Sequence, residues 1–244
     1  MNFLKNISYF IRSLIFTIYL ITATMIYSLF CILIKWTTPF KFRYAIIMIW
    51  LKAIIYGLKF ICGISWELSG AENIPKDRAG IIFSKHQSTW ETFFLPTLFP
   101  QTTIILKREL LWVPFFGWGL SIIDPIAINR SDRASAMEQV TKMGKEALNM
   151  GRWILVFPEG TRIPAGKTGK YRLGGARLAS ATHAPVIPVA HNAGRHWPKG
   201  NFLLKPGVIK IEIGQLIETE GKRPDVVMGE AKKWIESRVK EFGG

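Results

Sequence analysis

Hydrophobic and polar positions divide the chain into two parts. The sequence runs from Ser13 to Ile34, 22 residues, without a charge, and Arg12 and Lys35 stand on either side. As an α-helix this run would be about 33 Å long, close to the thickness of a bilayer hydrocarbon core. A cleavable signal peptide is the alternative, but its apolar stretch would be shorter and a small-residue cleavage site would follow. The pattern therefore predicts a membrane helix at about residues 13–34.

A second apolar stretch, residues 42–64, follows a turn signal at Pro39. Lys52 and Lys59 interrupt it and share one helical face, which predicts a helix at the membrane interface with its lysines snorkelling towards water. Basic residues flank the first helix on both sides, so the positive-inside rule does not fix an orientation. A re-entrant hairpin with both ends in the cytoplasm and a simple spanning helix both remain open.

Beyond this predicted anchor, residues 1–65, the pattern in residues 66–244 changes to short apolar runs that alternate with helical periodicity. Predicted strands are residues 80–84, 103–106, 122–128, 153–157, 186–190 and 208–213. Predicted helices are residues 91–99, 132–150, 173–182 and 225–242. Strands that alternate with helices predict an α/β domain with a mixed sheet flanked by helices.

Composition narrows the class of protein. The chain has 244 residues, of which 49% are apolar, enough for a real core and unlike a disordered chain. Cys31 and Cys62 stand far apart, which excludes a disulfide framework and a cysteine-built zinc site. The net charge of +15 suits nucleic acid or an anionic membrane surface, and the apolar amino-terminal third favours the membrane. No nucleic-acid partner is predicted.

His86 comes directly after a predicted strand and before a predicted helix, where α/β folds place catalytic groups. A neutral imidazole can accept a proton near pH 7. Glu91 can reach the other ring nitrogen, fix the tautomer and stabilise the imidazolium, as in a catalytic dyad. Two other interpretations stay open. Ser88 and Glu91 also have the spacing of a helix capping box, in which Glu91 would bind backbone N–H groups only, and His86 could be a surface histidine.

Residues 157–162, FPEGTR, follow another predicted strand. The glycine permits close backbone approach, and Arg162 offers a planar fork for a phosphate or carboxylate. An ordinary turn with a solvated arginine is the alternative. Residues 160–168, GTRIPAGKT, also come near the phosphate-loop pattern, although Gly166 is one position too late. A nucleoside triphosphatase is therefore a distant alternative.

Other basic residues sit at or near predicted strand ends, where they could converge on an anionic ligand. They are Lys107, Arg108, Arg130 and Arg172. The sequence has no G-x-S-x-G nucleophile elbow, and neither cysteine neighbours a histidine. His183, His191 and His196 lack a metal-ligand spacing, so no metal site is predicted.

Four blocks, in order, resemble the glycerolipid acyltransferase family, most closely its bacterial members that acylate 1-acyl-glycerol-3-phosphate, also called lysophosphatidic acid. Residues 86–91, HQSTWE, resemble the family's His-x4-Asp motif. Residues 107–117, KRELLWVPFFG, continuing to 128–130, INR, resemble its second block. Residues 157–162 match the third block residue for residue, and residues 186–189, VIPV, resemble the fourth. The resemblance covers about residues 75–215. Glu91 stands where the family usually has Asp, and Asn129 where Asp is common.

The resemblance implies direct acyl transfer without a cofactor or metal. His86 would take the proton from the sn-2 hydroxyl of lysophosphatidic acid, and Glu91 would orient His86. The acyl donor would be acyl-CoA or acyl carrier protein. The implied phosphate site comprises Lys107, Arg130, Glu159, Gly160, Thr161 and Arg162. Because a carboxylate repels phosphate, Glu159 is expected to position Arg162 or a backbone turn.

The resemblance also implies a place in phospholipid biosynthesis. The lipid substrate and product would lie in the bacterial cytoplasmic (inner) membrane, with the catalytic domain facing the cytoplasm. A different lysolipid acceptor, such as lyso-ornithine lipid, remains an alternative.

Overall fold

A computed structural model describes residues 2–129 and 133–243 of the chain. The helices of these residues are α1 (Asn2–Ile34), α2 (Phe40–Cys62), α3 (Trp90–Phe94), α4 (Phe116–Leu120), α5 (Arg133–Asn149), α6 (Gly174–Thr182) and α7 (Pro224–Glu241). The strands are β1 (Ile64–Ser69), β2 (Ile81–Ser84), β3 (Thr102–Lys107), β4 (Ile126–Ile128), β5 (Trp153–Val156), β6 (Val186–His191) and β7 (Gly207–Ile213).

The strands of the described residues form one sheet in the order β1-β7-β6-β2-β5-β3-β4. The pairing is antiparallel between β6 and β7 and parallel elsewhere, so the predicted mixed sheet is confirmed. Because β2, β5 and β3 are parallel neighbours, their carboxyl ends meet at one edge of the sheet. His86, the loop after β5 and Lys107 all follow or end these strands.

Side chains alternate between two cores, as the period of a strand requires. Ile82 and Leu155 face the core that is covered by α1, α2 and α3. Ile81, Phe83 and Ile154 face the opposite core, which is covered by α5, α6 and α7. We call these the hairpin face and the opposite face of the sheet.

Helices α1 and α2 form an antiparallel hairpin. The Cys62 thiol near the end of α2 donates a hydrogen bond to the carbonyl of Arg12, early in α1, at 3.6 Å. Further along α1, Tyr27 stacks on Trp50 with ring centroids 4.9 Å apart. Both ends of the hairpin therefore lie on the same side, next to the start of β1.

The hairpin shares its core with the sheet. The Thr102 N–H donates to the Tyr44 hydroxyl at 2.8 Å, and the Leu204 N–H donates to the Ser13 hydroxyl at 2.8 Å. The boundary predicted between residues 65 and 66 falls inside β1, so anchor and domain are continuous in packing.

The outer face of α1 is apolar and exposed. Ile18, Ile26 and Leu33 show 58%, 66% and 73% of their surface, and many neighbours are similar. Soluble monomers rarely expose an apolar patch of this size. Within the described residues, two helices, Leu4–Ile34 and Phe40–Cys62, are long and apolar enough to cross a membrane. These features indicate membrane association.

The structure corrects three predicted elements. Residues 122–128 are not one strand, because Asp124 adopts a left-handed φ of 47° and only Ile126–Ile128 is extended. The helix predicted at 91–99 ends at Phe94 and continues as a 3₁₀ turn, Leu95–Thr97, which contains Pro96. The first helix begins at Asn2 rather than near residue 13.

Candidate active site

His86 and Glu91 meet as the spacing predicts. His86 Nδ1 lies 2.9 Å from Glu91 Oε1, the imidazole is 16% exposed and the carboxylate is fully buried. A carboxylate accepts only, so Nδ1 carries the proton and Nε2 is the basic nitrogen of the neutral ring. Among the described residues Nε2 makes no hydrogen bond, and His86 lines a cleft of about 700 Å³. The ring can therefore accept a proton from a group in that cleft.

Glu91 also takes part in a cap. The same Oε1 accepts the backbone N–H groups of Gln87 at 2.8 Å and Ser88 at 2.7 Å, and the Ser88 hydroxyl accepts the Trp90 N–H at 3.1 Å. The capping and dyad interpretations are thus not exclusive. The backbone bonds fix the carboxylate, and the fixed carboxylate fixes the ring.

A buried histidine stands behind the pair. His191 Nε2 donates to the Lys85 carbonyl at 2.8 Å, and its Nδ1 accepts the Ala193 N–H at 3.2 Å. Burial is the main cause that lowers the pKa of His191 below 6.5, so this ring is neutral near pH 7. It lies 4.0 Å from Glu91 Oε2. No sequence pattern predicted a role for His191.

The pKa of Glu91 is lowered although burial alone would raise it. His191, His86 and the Ser88 N–H together outweigh the burial. Since His191 is neutral near pH 7, the hydrogen bonds from His86 and the backbone hold Glu91 as a carboxylate there.

The loop after β5 fixes His86 from the other side. Phe157 stacks on the imidazole with centroids 3.9 Å apart. Glu159 Oε2 accepts the His86 backbone N–H at 2.9 Å, and the Ile163 N–H donates to the His86 carbonyl at 2.7 Å. Glu159 thus holds the backbone of the histidine. The Glu159 carboxylate is buried, unlike a side chain that would contact a phosphate in the cleft.

A buried ion cluster extends this anchoring to the carboxyl-terminal helix. Lys85 Nζ, fully buried, lies 2.8 Å from Glu159 Oε1 and 2.8 Å from Glu236 Oε1 of α7. Tyr171 and Thr168 also donate to Glu236, at 2.7 and 2.8 Å. Burial opposes the charge of Glu236, but these donors lower its pKa overall. Lys85 lies 151 residues from Glu236, and no local pattern predicts their contact.

Four of the six expected phosphate-site residues line the same cleft. Its lining includes His86, Lys107, Gly160, Thr161 and Arg162. Arg162 Nη1 donates to the Thr89 hydroxyl at 2.7 Å, which sets the guanidinium beside the start of α3. Arg130, also expected here, lies outside the described residues.

Two other site chemistries can be compared with the structure. Within the described residues, no cluster of three or more His, Cys, Asp or Glu side chains could hold a metal ion. The segment 160–168 is a loop, and α6 starts only at Gly174, whereas a phosphate loop needs its Lys-Thr pair at a helix start.

Comparison with known proteins identifies the chemistry. A family model described as Acyltransferase matches residues 65–192, just over half of the chain. A 1-acyl-sn-glycerol-3-phosphate acyltransferase of Pseudomonas aeruginosa is 42% identical over 236 residues, which cover 95% of this chain and 91% of that protein. The chain belongs to the acyltransferase family. The resemblance seen in the four sequence blocks is thereby confirmed.

More distant relatives agree with this assignment. A chloroplast 1-acyl-sn-glycerol-3-phosphate acyltransferase of Arabidopsis thaliana is 29% identical to this acyltransferase over 198 residues, covering 80% of this chain and 53% of that protein. The crystal structure of the 1-acyl-sn-glycerophosphate acyltransferase PlsC from Thermotoga maritima matches with a TM-score of 0.81 and 24% identity, covering 99% and 98% of the two chains. This match confirms the predicted fold, with its two amino-terminal helices.

Proposed function

We propose that this acyltransferase moves an acyl group from acyl-CoA or acyl carrier protein to the sn-2 hydroxyl of 1-acyl-glycerol-3-phosphate, which yields phosphatidic acid for phospholipid biosynthesis. The observation that carries the proposal is the His86–Glu91 pair, 2.9 Å apart, at a cleft that Lys107 and Arg162 also line. This arrangement combines a general base with cations for a phosphorylated acceptor.

In the proposed reaction His86 Nε2 takes the proton of the acceptor hydroxyl. The oxygen attacks the thioester carbonyl, the new C–O bond forms and the C–S bond breaks. The leaving thiolate then accepts this proton from His86 Nε2. Glu91 stays ionised and stabilises the imidazolium between the two proton transfers. Neither substrate is held covalently by the protein.

The acceptor's phosphate would bind to Lys107, Arg162 and the loop at Gly160 and Thr161, with Arg130 as a further expected member. Glu159 would hold this loop on the His86 backbone rather than contact the phosphate. The contact between Arg162 and Thr89 supports this arrangement, because it places the cation beside the helix that carries Glu91.

The exposed apolar face of α1 supports a membrane location. We assign the protein to the bacterial cytoplasmic membrane, with the catalytic cleft on the cytoplasmic side, where acyl thioesters are available. The acceptor and the product are lipids, so a protein anchored in the bilayer need not extract them fully into water.

Purified protein in vesicles, supplied with labelled acyl-CoA, tests the function against a panel that includes lysophosphatidic acid and lyso-ornithine lipid. We expect phosphatidic acid to be the dominant product. ATP added in a separate assay, which tests the nucleoside triphosphatase alternative, should not be hydrolysed. His86→Ala should lose roughly 10²–10⁴-fold in rate, the usual worth of a general base, while it stays folded and membrane bound. A faster reaction with lyso-ornithine lipid would make that lipid the acceptor. An active His86→Ala protein would show that His86 is not the general base.

A further inference from the structure

The cleft carries more positive charge than one acceptor phosphate requires. Four basic side chains line it, namely Lys107, Arg162, Arg172 and Arg177, and its described lining contains no Asp or Glu. Arg and Lys bind phosphate through charge-assisted hydrogen bonds, and Lys107 and Arg162 already supply two such residues for the acceptor phosphate. Arg172 and Arg177 are left without an assigned ligand.

Arg162 lies on a different face of the sheet from the pair Arg172 and Arg177. Arg162 contacts Thr89, which precedes α3 on the hairpin face. Arg177 lies near the start of α6, whose Ala176 and Leu178 pack in the core of the opposite face. Arg172 precedes the same helix, and its N–H donates to the Pro158 carbonyl at 2.9 Å. The cleft therefore opens towards both faces, with Arg162 at the hairpin side and Arg172 and Arg177 at the opposite side.

This asymmetry matches the two substrates of the proposed reaction. The hairpin face carries the apolar helices, so an acceptor anchored in a lipid layer would approach from that side. The opposite face is covered by α5, α6 and α7, which are far less apolar than the hairpin helices. A water-soluble donor would approach from there.

Arg172 and Arg177 are also available to a ligand. Both are exposed, and among the described residues neither guanidinium forms an ion pair with a carboxylate. The Phe157–Pro158 link connects this pair to the site, because Phe157 stacks on His86 while Pro158 binds the backbone of Arg172.

We propose that Arg172 and Arg177 form a separate subsite for the phosphate of the donor's phosphopantetheine arm. This phosphate is common to acyl-CoA and acyl carrier protein, so one subsite would serve either donor. The inference rests on the proposed function, since it takes the reaction to be acyl transfer from a thioester.

Steady-state kinetics with three donors tests the subsite. The donors are acyl-CoA, acyl carrier protein and an acyl N-acetylcysteamine thioester, which has no phosphate. Arg172→Ala and Arg177→Ala should each raise the KM for the first two donors roughly tenfold, the usual worth of one charge-assisted hydrogen bond. The KM for the phosphate-free thioester and the KM for lysophosphatidic acid should not change. Arg223→Ala, an exposed arginine at the start of α7, controls for the loss of one positive charge.

Three results would overturn the subsite. An equal rise with the phosphate-free donor would show a general defect, a rise for the acceptor would place both arginines in the acceptor site, and a rise for acyl-CoA alone would assign them to the nucleotide. Calorimetric binding of free CoA, which should weaken in the Arg172→Ala/Arg177→Ala protein, needs no turnover. It tests the subsite even if lysophosphatidic acid proves not to be the acceptor, so the two failures can be distinguished.

Discussion

Lys85, His86 and Gln87 are consecutive residues that meet three different environments. Lys85 is buried among carboxylates, the His86 ring lies on Phe157 at the cleft, and the buried Gln87 side chain accepts the Gly194 N–H at 3.4 Å. The strand alternation ends at this point, so each side chain is placed by its own long-range contact. The position of the His86 ring therefore depends on residues that line no part of the cleft, such as Glu91 and Glu159.

The charge of Glu91 can be separated from its role in the cap by substitution. Gln at this position keeps an oxygen for the Gln87 and Ser88 N–H groups but has no charge for the imidazolium. We expect Glu91→Gln to lose roughly 10²-fold or more in kcat. Glu91→Asp keeps the charge on a shorter arm and should remain partly active. Rates with saturating substrates measure both.

Thermal unfolding of the same two proteins is the control, because it shows whether either substitution also weakens the helix cap. Because the lowered pKa of Glu91 keeps it ionised near pH 7, only the Gln variant removes a charge there. If Glu91→Gln is as active as the parent protein, Glu91 serves as a helix cap alone and the dyad is excluded.

Arg162 should serve the acceptor rather than the donor. Its bond to Thr89 holds it on the hairpin face, where the lipid would enter. Loss of an arginine leaves a bound phosphate underpaired, at a cost of roughly 2–5 kcal/mol, and Lys lacks the planar fork. Arg162→Ala and Arg162→Lys should both raise the KM for lysophosphatidic acid and leave the KM for acyl-CoA nearly unchanged.

The matched substitution Arg223→Lys, at an exposed arginine paired with Asp225, should alter neither constant. A raised KM for acyl-CoA in the Arg162 variants would show that residues 157–162, the third sequence block, bind the donor instead.

At the scale of elements, β1 shows where the sequence pattern falls short. Its residues alternate between apolar and polar from Ile64 to Ser69, as a strand requires, yet they follow the apolar helix α2 with almost no break. Gly63, with φ of 67°, ends the helix, and a glycine C-cap is a signal that could have marked the boundary. The central strands were predictable because short apolar runs there are bounded by polar turns.

The site also contains a part that the sequence predicts and a part that it does not. His86, Glu91, Lys107 and the loop after β5 come from strand ends or one helix start, so their meeting follows from the parallel sheet. The contact of Lys85 with Glu236 depends on where α7 packs. No periodicity within either element contains that information, and the cluster could not be predicted.

The Lys85 cluster should stabilise the fold through its balance of charge. Lys85→Met leaves Glu159 and Glu236 facing each other without a cation, and breaking a buried ion pair costs about 3–5 kcal/mol. Glu236→Gln removes one carboxylate and keeps a partner for Lys85, so its cost should be smaller. Chemical denaturation in detergent measures both free energies of unfolding.

Combining the two substitutions provides the control. The double variant retains a single carboxylate and should be more stable than Lys85→Met alone. A Lys85→Met protein as stable as the parent would show that the cluster is not a net source of stability.

At the scale of the whole molecule, the hairpin and the sheet are one packed body. Tyr44 and Ser13 in the two apolar helices hydrogen-bond to the domain, so the cleft has a fixed place relative to the lipid-facing surface. In the proposed reaction, a fixed cleft would receive the lipid from one side and the thioester from the other. The net charge of +15 would add attraction to an anionic membrane surface.

The hairpin predicts that both ends of residues 1–65 lie on one side of the membrane. Single cysteines at positions 2 and 75, in a background where Cys31 and Cys62 are replaced by serine, can be labelled by a membrane-impermeant maleimide. Because Arg12 in the first half of α1 contacts Cys62 at the end of α2, shortly before β1, residues 2 and 75 are expected on the same side, and both labels should react only after the cytoplasmic side is opened. An activity assay of the background protein shows that it is folded. Labelling from opposite sides would replace the hairpin by a single spanning helix, and the contacts between α1 and α2 would then have to break in the membrane.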